Sequence, residues 1–150
     1  MRWLALDVGR VRVGVALSDS DAVLVTPLAA VPFAGPEALA KRVADLVETW
    51  EVEGVVVGWP RTRAGSGRGE QRVAEVVAVM RGLLGVPVEM EDESGTTKAA
   101  AELLREAGVS QRRRRGIQDS VAAKLILESF LARVRRSCTA GVDVDHRGDE

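Results

Sequence analysis

The sequence predicts an α/β domain, a mixed five-stranded sheet flanked by helices. Three observations carry the prediction. Two short apolar strands at the start are separated only by Gly9 and Arg10, the spacing of a tight hairpin. After Gly35 and Pro36 the apolar pattern changes to a 3.6-residue period, and it then alternates between helical stripes and short strands to the end of the chain. Finally, 46% hydrophobic and 29% charged residues in a chain of 150 is ordinary globular usage, enough to bury one sizeable core.

Each element has its own reason. Residues 2 to 8 form a first strand. In residues 11 to 18, Val11, Val13, Val15 and Leu17 alternate with Arg12, Gly14, Ala16 and Ser18, which predicts a second strand with one face in the core. VLVTPLAAV, 23 to 31, reads as a third strand, and Pro27 puts it at an edge or an irregularity. Leu39, Val43, Leu46, Val47 and Trp50 lie on one stripe of a first helix. VEGVVVGWP, 52 to 60, is a continuous apolar strand of the kind buried on both faces.

RTRAGSGRGEQ, 61 to 71, has the glycine and arginine content of a loop. A helix from about residue 70 to 84 leads into VPVEMED, a strand ending in acid. Another helix follows SGTT and ends near Gly108, and GIQDSVAAKLILESFLARV is a strongly apolar last helix. This reading divides the chain into a domain over residues 1–136 and an acidic, disordered tail over 137–150.

Charge excludes some functions. The net charge is −1, so no global field announces a partner. The distribution is uneven, however: Arg112, Arg113, Arg114 and Arg115 form a run, while Asp143, Asp145, Asp149 and Glu150 crowd the C-terminal end. The lone Cys138 makes no internal disulfide. The opening MRWLALDVG lacks the pattern of a secretory leader, and no apolar stretch approaches the roughly 20 residues of a membrane span, so the expected setting is cytoplasmic with no membrane partner. The one histidine, His146, leaves no Ser/His/Asp or Cys/His set.

The acids stand where a core would be expected. Asp7 is inside the first strand, Asp92 and Glu93 end the last strand, and Asp119 opens the last helix on the stripe of Ala122, Ala123, Ile126 and Phe130. Each has a plain alternative: Asp7 as a turn residue, Asp119 as a helix N-cap, and Asp92 and Glu93 as a solvated loop before a helix. Taken together, convergent carboxylates are best held by a divalent metal, Mg²⁺ or Mn²⁺, and phosphodiester hydrolysis is the chemistry that follows.

Candidate binding residues surround these acids. Gly9 suits close approach of a phosphate backbone or a turn. Arg61, Arg63 and Arg68 follow the central strand, where open sheets bind ligands. Arg112 to Arg115 can neutralise phosphates just before Asp119, and Thr96 and Thr97 can cap a helix or meet a phosphate. With no tyrosine, two phenylalanines and three tryptophans, the chain offers no stacking platform for single-stranded bases. Recognition by backbone and shape is expected.

These motifs resemble the YqgF/RuvX family, Holliday-junction-resolvase-like proteins also proposed as nucleases of precursor 16S ribosomal RNA. LDVGRVRVGVALSD keeps the family's Asp7, Gly9, Arg12, Gly14, Val15, Ala16, Ser18 and Asp19; VVVGWP keeps Gly58 and Pro60. DESGTT is similar to the family's DERLTT in Asp92, Glu93, Thr96 and Thr97, and QDSVAAKLILESFL keeps Asp119, Ser120, Ala122 and Ala123. The likeness runs from residue 3 to about 131. It departs at Val11, where the family has lysine, and at Ser94 and Gly95, where it has arginine and leucine; Arg10 or Arg12 is then the cation near the site.

The resemblance implies an RNase H-like fold with Asp7, an acid of the Asp92–Glu93 pair and Asp119 as metal ligands. Glu93 is favoured over Asp92 for its longer stem. The implied partner is precursor ribosomal RNA or branched DNA, with a ribosomal particle as a further partner and a monomer or homodimer as the working state. Two other classes compete with this one. An ATP-using enzyme of the actin and sugar-kinase type shares the Asp-x-Gly hairpin but needs two such domains. A non-catalytic RNA-binding assembly factor would retain the fold without needing its acids.

Overall fold

In the computed structural model, residues 1–60, 68–93 and 120–149 are described; side chains are described for these except Pro60, Arg68, Glu93 and 137–149. Five strands, β1 (Trp3–Val8), β2 (Arg12–Ser18), β3 (Val25–Pro32), β4 (Gly54–Pro60) and β5 (Val88–Glu93), form one sheet in the order β3-β2-β1-β4-β5. The described helices are α1 (Pro36–Trp50), α2 (Arg68–Leu83) and α3 (Val121–Asp149). β1 pairs antiparallel with β2 and parallel with β4, and β4 pairs parallel with β5. The mixed five-stranded sheet expected from the sequence is therefore present, with β1 at its centre.

Strand alternation divides the sheet into two faces. Leu4 and Leu6 of β1, Val13 and Val15 of β2, and Val55 and Val57 of β4 pack with Leu39 and Val43 of α1 and with Val73, Val76, Val77 and Met80 of α2. On the other face Ala5, Ala16 and Val56 pack beneath Ala123, Ile126, Leu127 and Phe130 of α3. The sheet is thus sandwiched between α1 and α2 on one side and α3 on the other. The small residues on the α3 face let that helix lie close.

Several boundaries move for identifiable reasons. Val11 does not continue the inward face of β2: it is 66% exposed, because the hairpin turn takes Arg10 and Val11 as its central residues and closes with the Gly9 amide on the Arg12 carbonyl at 2.9 Å. β2 is buried on both faces rather than one, since α3 covers Gly14 and Ala16. β3 is an edge strand, as Pro27 predicts. The loop predicted to run to residue 71 ends earlier, at the helical Arg68. The helix predicted after SGTT lies outside the described residues. α3 extends through Asp149, well past the apolar pattern that predicts it.

Candidate active site

The parallel strands β1, β4 and β5 all end on one rim of the sheet, the carboxyl rim where open α/β sheets bind their ligands. Asp7 is the penultimate residue of the central strand there. It is half-buried and paired in register with Gly14 of β2. Trp3 and Ala5 belong to the α3 face, and alternation puts Asp7 on that face with them.

Gly9 has a steric reason of its own. A Cβ there would stand 2.6 Å from the Arg12 carbonyl oxygen, so the tight hairpin excludes any larger residue whether or not a phosphate comes near. The turn places the exposed Arg10 and Arg12 at the rim that carries Asp7.

Within β5 the acids divide between faces. Val88 belongs to the core under α1 and α2, and Asp92 has its parity. Glu91 has the opposite parity and meets α3, where its Oε1 accepts hydrogen bonds from Arg133 Nε at 2.9 Å and Nη2 at 2.7 Å. Its Oε2 accepts from the Ser129 hydroxyl at 3.0 Å. Glu91 is 8% exposed, and this fork of donors satisfies its charge. Position 93, two residues on, shares the parity of Glu91 and is in register with Pro60.

Ser120 is the first described residue of the last helical segment, and it is fully buried. Its Oγ accepts from the Val15 amide at 2.9 Å and donates to the Leu28 carbonyl. Sequence reasoning met Ser120 only as a letter in a family pattern and passed over Glu91 and Arg133. The signal for Ser120 was its place beside Asp119; none was available for the Glu91 pair, whose residues are 42 positions apart.

Asp119, Arg61, Arg63, Thr96, Thr97 and Arg112 to Arg115 lie outside the described residues, as do the side chains of Glu93 and Arg68. Among the described residues no group of three or more acidic, histidine or cysteine side chains is placed to hold a metal ion. The buried stripe of Ala122, Ala123, Ile126 and Phe130 is as the sequence predicts. Trp59 packs partly buried against the α1–α2 core. Among the described residues, no helix is long and apolar enough to cross a membrane.

Comparison with known proteins agrees with this architecture. A protein from Rhodococcus jostii named "Putative pre-16S rRNA nuclease" is 43% identical over 154 residues, covering 99% of this chain and 85% of its own length. One of the same name from Chloroflexus aurantiacus is 39% identical, covering 97% and 96%. Among solved structures, Thermus thermophilus RuvC in complex with a Holliday junction substrate aligns with a TM-score of 0.55 at 16% identity, over 89% of this chain and 96% of that one. The fowlpox virus Holliday junction resolvase aligns at 0.56 and 12% identity, over 89% and 99%. At these identities the structural likeness establishes the fold, that of RuvC-like resolvases with an RNase H-like sheet. The family model described as "RuvX: Holliday junction resolvase" matches residues 1–133, and this chain belongs to the RuvX family.

Proposed function

We propose that the chain is a divalent-metal-dependent nuclease that hydrolyses phosphodiester bonds of structured nucleic acid, with the 5′ end of precursor 16S ribosomal RNA as its substrate. The observation that carries this reading is the placement of Asp7: a half-buried carboxylate at the carboxyl rim of the central strand, on the face covered by α3. The naming of relatives at about 40% identity supports the substrate.

Carboxylate oxygens are the donors that hard divalent cations prefer, and Asp7 is open enough to share its charge with a ligand. In this reading Asp7, Glu93 and Asp119 hold Mg²⁺ or Mn²⁺. Strand alternation favours Glu93 over Asp92, because position 93 shares the parity of Glu91, which meets α3. A divalent ion bound there supplies an activated water and stabilises the leaving oxygen. Arg10 and Arg12 bring positive charge to the same rim and orient the phosphate backbone without reading sequence. Arg61, Arg63, Arg68, Thr96, Thr97 and Arg112 to Arg115 extend this backbone contact, giving binding that weakens steeply with salt.

A second reading, resolution of branched DNA, is favoured by the RuvX family description. It requires a two-fold dimer presenting two sites to paired strands. The test compares wild type with Asp7→Asn on a precursor 16S rRNA 5′ fragment and on a four-way DNA junction, with Mg²⁺, with Mn²⁺ and with chelator. Metal-dependent cutting of the RNA, lost in the variant, is the expected result. Cutting of the junction alone establishes the second reading, and binding without cutting of either substrate overturns the enzymatic one.

A further inference from the structure

The edge of the sheet above α3 contains an irregularity, and Ser120 fills it. Between the pairs Val13↔Val31 and Val15↔Leu28, β2 has one intervening residue, Gly14, and β3 has two, Ala29 and Ala30. Such a bulge interrupts the ladder and leaves backbone groups without their regular partners. The Val15 amide and the Leu28 carbonyl are bridged instead by the Ser120 hydroxyl, which accepts from one at 2.9 Å and donates to the other. A hydroxyl is suited to this place because a single atom both donates and accepts. An unsatisfied buried amide or carbonyl is costly, so the bridge is specific.

Two neighbours give the bridge its importance. Gly14, the β2 residue opposite the bulge, is the register partner of Asp7. Asp119 is one peptide bond from Ser120. A buried hydroxyl therefore fixes the start of the last helix at the level of the sheet where Asp7 stands.

We propose that Ser120 is a positioning residue for the metal-binding acids: by plugging the β2–β3 bulge it anchors the start of the last helix, one peptide bond from Asp119, beside the Gly14 that pairs with Asp7. The inference rests on the nuclease reading above. Alanine at 120 leaves the Val15 amide and Leu28 carbonyl unbridged and lets the start of the helix shift. Other residues of α3, such as Ile126, contribute to packing without setting this register.

The experiment is Mn²⁺ titration by calorimetry, with thermal unfolding alongside, on wild type, Ser120→Ala, Ser120→Thr and Ile126→Val. Ser120→Ala is expected to weaken Mn²⁺ binding by about tenfold or more, as loss of outer-sphere support does. Ser120→Thr, which keeps the hydroxyl, recovers part of the affinity. Ile126→Val lowers the melting temperature and leaves Mn²⁺ affinity at the wild-type value. If Ser120→Ala fails to fold, Ser120→Cys, with its weak donor and acceptor, takes its place in the comparison. Unchanged Mn²⁺ affinity in the Ser120 variants overturns the inference, as does a loss that merely follows the melting temperature in both Ser120→Ala and Ile126→Val. A wild-type chain that neither binds Mn²⁺ nor cuts nucleic acid overturns the nuclease reading and this inference with it; the wild-type arm separates that failure from a failure of Ser120 alone.

Discussion

Arg133 of α3 forks onto one oxygen of Glu91 on β5, through Nε at 2.9 Å and Nη2 at 2.7 Å, and so ties the long helix to the edge strand that ends in Glu93. The two partners differ in exposure: the Glu91 side chain is 9% accessible and that of Arg133 50%. Truncating the arginine therefore strands a buried charge, whereas neutralising the glutamate does not. The stranded charge would cost about 3–5 kcal/mol in a sealed interior, but solvent at the exposed arginine end reduces this to about 1–2 kcal/mol. Arg133→Ala should lower the melting temperature by about 3–6 °C, and Glu91→Gln by less. Equal losses in a thermal melt would contradict the asymmetry.

At the other end of β1, the Trp3 ring lies over Gly54 and meets the edge of Phe130 with centroids 4.7 Å apart. A Cβ at position 54 would stand 2.5 to 2.8 Å from three atoms of that ring. Gly54→Ala must displace Trp3 from Phe130, and overpacking of this kind costs about 1–3 kcal/mol. The indole emission of Trp3 should shift, and a smaller residue at position 3 should recover much of the lost stability in a double-mutant cycle. Additive losses in that cycle would show that the ring is not what resists the methyl group.

Local signals in the sequence revealed local structure. Gly9 and Arg10 marked the hairpin, Pro27 the edge strand, and the run Val55, Val56, Val57 the strand sealed on both faces. Val11 was misjudged because alternation gives no warning that the two-residue turn falls one position later, on Arg10 and Val11 rather than on Gly9 and Arg10. The second buried face of β2 was written in its small residues, Gly14 and Ala16, but small residues announce a close neighbour without naming it. What escaped altogether was long-range. The Ser120 hydroxyl meets Val15 across 105 positions, and Glu91 meets Arg133 across 42. Neither pair leaves a periodic trace. Of the candidate site, Asp7 and the hairpin arginines stand at one rim of the sheet, while Asp119 lies outside the described residues.

Asp19 offers a test at acid pH. Its carboxylate accepts the amides of Val23 at 2.8 Å and Leu24 at 3.3 Å, closing the turn in which Ala22 takes a φ of 58°. The hydrogen bond from Val23 is the main cause holding its pKa below the ordinary 3.8, aided by those from Leu24 and its neighbours. A carboxylate depressed on folding stabilises the native state above its unfolded pKa, and that contribution disappears as pH falls through the folded value. The stability gap between wild type and Asp19→Asn should therefore be constant near neutrality and narrow below about pH 5. A gap that persists to low pH in melts of the two proteins would assign the turn to backbone geometry alone.

The two acids that end β5 make the sharpest functional test, because adjacent residues in a strand occupy opposite faces. Asp92 has the parity of Val88, on the side of α1 and α2, while position 93 has the parity of Glu91 on the side of α3 and Asp7. If one acid joins Asp7 at the metal, alternation selects position 93. Glu93→Gln should reduce single-turnover cleavage by about 100-fold, the equivalent of a few kcal/mol of transition-state stabilisation. Asp92→Asn should remain within about threefold of wild type, since a change of less than 1 kcal/mol is the ordinary effect of a surface substitution. Neither change should lower the melting temperature by more than about 2 °C, the ordinary effect of a near-isosteric substitution at the end of a strand. The comparison reads both quantities on the same preparations. If Asp92→Asn is the inactive variant, β5 must twist or bulge beyond Glu91 and bring the opposite parity to the site; if both variants cut normally, the carboxylate that completes the set with Asp7 comes from outside β5.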